Sequence, residues 1–283
     1  MQGNEKFLGR VASYAHKHAL WREGERILAA VSGGPDSLAL LLALKLLAVK
    51  EKINIGCCCV NHHLRAAAGK EAEFGESVCR EWNIPFILKE VNVQSAVRNG
   101  GSIETAARDL RYKALREAAR GGGYAKIAVA HHGDDQAETV LYHLLRGSGV
   151  TGLSGMKPIN GDIIRPFLCV SKNEIKDFLK DFSYVPCHDE SNDVEDAVRN
   201  RIRLSLVPEL ISYNPRVTES LRRTADIFRE EDLFMEEKAD VFISSCVEHD
   251  NDKCVFFIAY FLALHIALQR RVIRNCLLYT SDA

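Results

Sequence analysis

Charge of one sign is in short supply in this 283-residue chain: 37 Lys and Arg against 38 Asp and Glu leave a formal net charge of −1. A global positive field that gathers nucleic acid is thereby excluded, and any RNA contact has to use a local basic patch. Long apolar runs are scarce too. The longest, Val255 to Leu268, is interrupted by His265, falls short of the roughly 20 residues that cross a bilayer, and reads as a buried helix with room for a strand before it. The opening MQGNEKFLGRVASYAHKH has no continuous apolar core, so no secretory signal is read there. Nine cysteines are present but no C-x-x-C pair, and three of them (Cys57, Cys58, Cys59) are contiguous. That argues against a disulfide framework and for free thiols in a reducing, cytoplasmic setting.

What is present suits a folded protein. A hydrophobic content of 47% with 27% charged residues sits near the globular average, and the length suits about two domains at roughly 100–200 residues each. From Arg26 a strand-like ILAAV meets SGGPDS and then an almost wholly apolar helix from Leu38 to Val49. INIGCCCV, a polar NHHLR and a helix around Glu71 to Trp82 form a second unit; PFILKEV and a helix from Ile103 to about Ala119 form a third. A fourth strand, KIAVA, ends in HHGDD and enters a helix closing at Gly147. Strand and helix alternating four times predict an α/β fold with a doubly wound, mainly parallel, Rossmann-like sheet. Past Gly161 come a short strand (IIRPF), a helix from Ser171 to Phe182, and an irregular CHDESND segment. Beyond Val198 the reading is almost wholly helical, including a long charged helix from Val217 to Asp240. Pro215 restrains the residue before it from helix, so the expected division is a catalytic domain over 1–213 and a smaller helical domain over 214–283.

Such a sheet binds ligands beyond the carboxyl ends of its strands, and SGGPDS, NHHLR and HHGDD all sit there. In Ser32-Gly33-Gly34-Pro35-Asp36-Ser37, backbone amides of a glycine turn and a helix N-terminus can surround a phosphate. No lysine follows the glycines, so this is not the G-x-x-x-x-G-K-[ST] loop. A tight turn with Asp36 and Ser37 capping the helix is the plainer alternative. In His131-His132-Gly133-Asp134-Asp135-Gln136-Ala137-Glu138, helical spacing stacks Asp134 and Glu138 on one face looking into the crevice and turns Asp135 toward the polar side. Acidic residues in a first helical turn can also serve only the helix dipole. Adjacent histidines on a strand point to opposite faces, which argues against joint metal binding. Arg108, Arg111 and Tyr112 share a helix face that could hold phosphates or stack a base, though a solvated basic face with Arg108 beside Glu104 explains it equally well; the same holds for Arg201 and Arg203.

SGG-x-DS resembles the PP-loop of the N-type ATP pyrophosphatases, which adenylate an oxygen and release pyrophosphate. SGGPDS, VNHHLR, ETAARDLRY, AHHGDDQAET, LLRGSGVTGL, RPF, DESN and RNRIR, in this order, resemble the tRNA(Ile)-lysidine synthetase family across about residues 25–210. LALQRRVIR is similar to that family's helical linker. The resemblance implies that ATP adenylates the C2 oxygen of the wobble cytidine of an isoleucine tRNA with a CAU anticodon, and that the ε-amine of free L-lysine then displaces AMP. It implies Ser32, Gly33, Gly34, Pro35, Asp36 and Ser37 around ATP, flanked by Asn61, His62 and Arg65. Asp36 and Asp135 would hold Mg²⁺, and Asp134 and Glu138 would bind lysine. Asp36, Asp134, Asp135, Glu138 and Arg108 would carry catalysis, with Arg108, Arg111, Arg201 and Arg203 on phosphates or tRNA. No membrane is implied, and a homodimer is left open.

Two features depart from the family. The closing NCLLYTSDA fits neither the linker pattern nor a helix cap and reads as a truncated or artefactual end, where longer members carry a further domain. The Cys57–Cys59 run stands where aliphatics would be ordinary, and small buried thiols are the simple reading. Two other functions compete: a PP-loop enzyme that 2-thiolates tRNA cytidine, expected to carry paired C-x-x-C cysteines, and a nucleotide- or RNA-binding module without catalysis.

Overall fold

The structure, a computed structural model, describes residues 2–61, 68–92, 103–182, 184, 197–250 and 253–281. It divides into two compact units, residues 1–142 with 156–222 and residues 143–155 with 223–283.

The first unit opens with α1 (Gln2–Lys17), then alternates β1 (Arg26–Val31), α2 (Pro35–Glu51), β2 (Asn54–Asn61), α3 (Ala68–Glu81), β3 (Phe86–Glu90), α4 (Ile103–Gly122), β4 (Lys126–Ala128) and α5 (Gly133–Leu145). Two short strands, β5 (Ile159–Asn160) and β6 (Ile163–Ile164), complete a six-stranded sheet of order β3-β2-β1-β4-β6-β5. All its pairings are parallel except β5 with β6. The sheet is thus mainly parallel, as expected, with an antiparallel edge that the motif order does not announce. The strands read as continuous apolar runs because both faces are covered. Ile27, Ala29, Val31, Cys57 and Cys59 belong to a core shared with α1 and α2. Leu28, Cys58, Ile127 and Ile163 face the other way onto Leu115, Ala118 and Ala119 of α4. Cys57, Cys58 and Cys59 are buried free thiols serving as small core residues. The first half of α2 is apolar on every side because it is enclosed, with Leu38 to Leu44 at most 1% exposed.

Strand order reverses between β1 and β4, the first strand continuing to β2 on one side and β4 leading to β6 on the other. The carboxyl ends of those two neighbours therefore flank the topological switch point, where open α/β sheets bind ligands. After a 3₁₀ turn (Pro166–Cys169), α6 (Lys172–Leu179) starts on a capping box in which Ser171 and Glu174 satisfy each other's backbone amides. Near the end of the unit, α7 (Ala197–Arg201) runs through a π-helical turn (Ile202–Leu206) into α8 (Val207–Tyr213). Asn214 is extended before Pro215, and α9 (Val217–Cys246) begins just after. That long helix extends further than its charge pattern predicts.

In the second unit a β7–β8 hairpin (Val247–Asp250 with Lys253–Phe256) interrupts the helices; the sequence leaves room for one strand beside Val255 but does not announce the pair. The apolar run from Val255 is not a buried helix. It breaks into the end of β8, α10 (Ile258–Leu262) and the start of α11 (Ile266–Ser281). Phe261 is buried in the core of Ala239, Phe242, Val272 and Cys276, with Phe256 and Leu264 packed against it, while Val255, Phe257, Ile258, Tyr260, Leu262 and Ile266 are exposed. A five-residue helix presents too little length to bury more than one side of itself. Among the described residues no helix is long and apolar enough to cross a membrane.

Candidate active site

The loop after β1 is built by its own side chains. Gly33 has φ +83, and a Cβ there would lie 2.9 Å from Cβ of Glu71, so both conformation and space require glycine. Gly34 is the extended residue that precedes α2, with Pro35 in the first turn and no side-chain cap on the helix. Ser37 turns back: its hydroxyl donates to the Gly34 carbonyl at 2.9 Å and its Oγ accepts from the Ser32 amide at 3.1 Å, with the two serine hydroxyls 3.3 Å apart. Asp36 and Ser37 therefore do not act as the N-cap, and amides of the first turn of a 17-residue helix are left for another acceptor, which makes the loop suited to an anion. Asp36 Oδ1 is buried with no hydrogen-bond partner among the described residues.

β4 delivers the second half. Gly133 opens α5 with its amide donating to the Val170 carbonyl at 2.8 Å. A Cβ there would lie 2.9 Å from that carbonyl oxygen and from Nη1 of Arg222. The buried His132 ring is ringed by acid: Nε2 lies 3.7 Å from Asp36, and Nδ1 lies 3.6 Å from Asp134 and 3.5 Å from Asp135. Burial alone would lower its pKa, but the Asp36, Asp135 and Asp134 carboxylates outweigh burial and raise it. His131, its neighbour, is pushed down to about 3 chiefly by burial; Asp135 opposes this, and Arg165, Arg111 and Arg199 add to the lowering. Its Nδ1 is buried without a partner among the described residues. The two histidines thus occupy opposite environments, one favouring the cation and one the neutral ring.

Asp135 does not turn to the polar side. As the third helical residue it folds back and accepts the His132 amide at 2.9 Å, an end-capping interaction that overrides its position on the helical wheel. Its carboxyl stays below the usual range: burial opposes this, but the two histidines, the His132 amide and Arg199 prevail. Asp134 is the more open carboxylate and accepts the Lys172 amide at 2.7 Å, tying α5 to the start of α6. Glu138 is held in a two-pronged grip by Arg203, Nε to Oε1 at 2.7 Å and Nη2 to Oε2 at 2.9 Å, with Nη2 also 3.3 Å from Asp135. Arg199 adds Nε at 3.4 Å from Glu138.

Of the candidates read from sequence, Ser32, Gly33, Gly34, Pro35, Asp36, Ser37, Asp134, Asp135, Glu138 and Arg203 come together at the switch point. Arg201 is exposed, whereas Arg199, absent from the sequence reading, faces Glu138; residues four apart share a helix face, so the 199/203 spacing was the usable signal. Arg108 and Arg111, on α4, both lie over the Tyr112 ring, at 5.3 and 5.6 Å from its centroid. Asn61 ends β2, its carbonyl accepting the Val91 amide at 2.9 Å. His62, Arg65 and the DESN segment lie outside the described residues, as does the Glu104 side chain. Among the described residues no group of three or more His, Cys, Asp or Glu side chains is arranged to hold a metal ion. Asp36 offers one uncommitted oxygen, and Asp135 would have to release Arg203 to offer another.

A family model for the PP-loop domain matches residues 5–210. The chain is similar to the tRNA(Ile)-lysidine synthase of Caldanaerobacter subterraneus subsp. tengcongensis, 36% identical over 273 residues that make up 95% of this chain and 58% of the relative. It is similar to the enzyme of the same name from Geobacillus kaustophilus, 35% identical over 277 residues, 96% of this chain and 60% of the relative. The chain therefore spans about three fifths of the length of these curated relatives. Among solved structures it resembles the U34-tRNA thiolase NcsA from Methanococcus maripaludis, with a TM-score of 0.65, 17% identity and 80% of each chain covered. At that identity the likeness shows the fold alone.

Proposed function

The chain belongs to the PP-loop domain family, and on that premise we propose that it joins free L-lysine to C2 of the wobble cytidine of a CAU-anticodon isoleucine tRNA. The observation that carries this reading is the convergence, at one switch point, of an uncapped glycine turn with an uncommitted Asp36 oxygen and the Asp134–Asp135–Glu138 carboxylates. The similarity to the two curated lysidine synthases supports it. The sulfur-delivering alternative is disfavoured by the lack of any C-x-x-C pair in these 283 residues.

In the first step the cytidine C2 oxygen attacks the α-phosphorus of ATP, the bond to the bridging oxygen breaks, and pyrophosphate leaves. In the second the lysine ε-nitrogen attacks C2, the C2–O bond breaks, and AMP departs with that oxygen while the nitrogen loses a proton. The Ser32–Ser37 amides and hydroxyls would bind phosphate oxygens. Asp36 is the side chain fit to hold Mg²⁺, whose other ligands would come from phosphates and water; the ion would offset phosphate charge. His132, whose ring lies against Asp36, Asp134 and Asp135 and whose pKa those carboxylates raise, would hold Asp36 in place beside the same phosphates. Deprotonating an ammonium of pKa about 10.4 at pH 7 costs about 4.6 kcal/mol, so a base must assist. Asp134, more open than Asp135 or Glu138, is the carboxylate we assign to the lysine amine, with Asp135 and Glu138 as its charged surroundings. Arg108 and Arg111 would meet phosphate oxygens of nucleotide or RNA.

We assign catalysis to residues 1–213 and a further share of the tRNA contact to 214–283, in a cytoplasmic protein whose thiols stay reduced. The test is direct: incubation with ATP, Mg²⁺, labelled lysine and a CAU-anticodon transcript. Lysine fixed to RNA only when ATP is present is expected; no fixation in the complete mixture contradicts the proposal.

A further inference from the structure

α4 borders an open cavity of about 490 Å³ reaching the β5–β6 edge of the sheet. Five of its nine lining residues are cations, Arg108, Lys113, Arg116, Arg120 and Arg165, against one carboxylate, Asp109. In a chain of net charge −1 this is a strong local excess. Arg116 is partly offset by Asp162 at 3.0 Å. Lys113 and Arg120 are exposed and have no carboxylate within 4 Å among the described residues. An ordinary solvated helix face explains exposed cations, but not the cavity floor. There Arg165, 93% buried by a relative exposure of 7%, donates from Nη1 to the Lys157 carbonyl at 2.8 Å and lies against the Tyr112 hydroxyl, while its buried Nε has no hydrogen-bond partner among the described residues. A buried guanidinium N–H left open in a cationic hollow calls for an anionic oxygen.

The shape selects the anion. Arg108, Tyr112, Arg116 and Arg120 follow one another at four-residue steps, about 6 Å each and about 18 Å in all along the helix, so that three of the four positions are cations. A free nucleotide concentrates its phosphates at one point, which the Ser32–Ser37 turn already serves. A row of cations of this length matches an anion whose charges repeat along a chain. We propose that this groove holds the sugar–phosphate backbone of the RNA substrate, on a track running from Arg108 toward Arg120. The inference rests on the proposed RNA substrate and adds the face by which that RNA is held.

The experiment uses the 283-residue chain, a CAU-anticodon transcript and fluorescence anisotropy over a salt series, with ATP affinity measured alongside. Lys113→Glu/Arg120→Glu is expected to weaken RNA binding about tenfold or more at low salt and to lower the slope of log affinity against log salt by about 1.5, since each phosphate contact contributes roughly 0.7–0.9. ATP affinity is expected to stay within twofold. Should wild-type chain bind RNA and the variant match it in affinity and slope, the groove assignment falls while the proposed function stands. Should wild-type chain bind no RNA, the proposed function falls first and takes the groove with it. If the charge reversal disturbs folding by thermal melting, Lys113→Gln/Arg120→Gln supplies the same slope test, and an unchanged slope overturns the track. Tripolyphosphate displacing RNA at equal phosphate concentration would also overturn it, by assigning the groove to small anions.

Discussion

Two networks of enclosed charge, one in each unit, are made of the same residue types and differ in how completely they are satisfied. In the second unit Arg271 donates from Nη2 to Asp232 at 2.6 Å and from Nη1 to Glu236 at 2.8 Å. Thr151 donates to Asp232 at 2.7 Å, and Asn275 completes Glu236 at 2.6 Å. Burial opposes the Asp232 charge, but Thr151, Arg271 and Arg274 hold its carboxyl below the usual range. Each charge there has its opposite, and the network joins residues 143–155 to the helices of that unit. At the switch point of the first unit, Asp36 Oδ1 and His131 Nδ1 are buried without partners among the described residues, and three carboxylates crowd one histidine. Saturation suits a network that holds a fold. Unspent valence beside an anion-binding turn suits one that handles a ligand.

That contrast is open to attack by mutation. Asp36→Ala should reduce lysine incorporation by about 10²-fold or more, on the scale of removing one group that stabilises developing charge, while the melting temperature holds. A variant that keeps full turnover would remove Asp36 from the chemistry. Arg271→Met should do the reverse, leaving Asp232 enclosed without its cation and destabilising the chain by about 3 kcal/mol in urea, with ATP affinity within twofold of wild type. If nucleotide binding is lost with stability still high, the division between structural and chemical networks fails.

The paired histidines sharpen the comparison through pH. His131 is depressed to about 3 from about 6.5, so its contribution to stability is complete above 6.5 and drains away as pH falls toward 3. His132 is raised, so its contribution is complete below 6.5 and is lost as pH climbs through its folded value. Urea midpoints should therefore fall between pH 6.5 and 4.5, and His131→Asn should flatten that fall; equal slopes in the two proteins would contradict it. The smallest effect concerns Cys58, whose thiol burial pushes up to about 11. Native protein should leave it unalkylated by iodoacetamide at pH 8, and rapid labelling would show the strand to be open.

Much of the first unit is legible in residues 26–147 because continuous apolar runs alternate with glycine-punctuated polar tips, and those tips are where parallel strands end. The serine–glycine turn and the acidic start of α5 are local features, so sequence suffices to find them. What it does not convey is which side chain meets which. Asp135 caps His132 instead of turning outward because a free backbone amide is nearer than solvent. Arg199 reaches Glu138 from a segment about 60 residues away, and no periodicity within α5 announces that. The run from Val255 misleads for a different reason: its hydrophobicity is real, but it is divided among a strand end, a five-residue helix and the start of α11, and most of it stays exposed.

The most direct test follows the phosphorus. The chain is mixed with ATP labelled at the α-phosphate and a CAU-anticodon transcript, first without lysine and then with it. The account predicts label attached to RNA together with released pyrophosphate, and then free AMP once lysine is added. Production of ADP and orthophosphate, with no label on RNA at either stage, would contradict it.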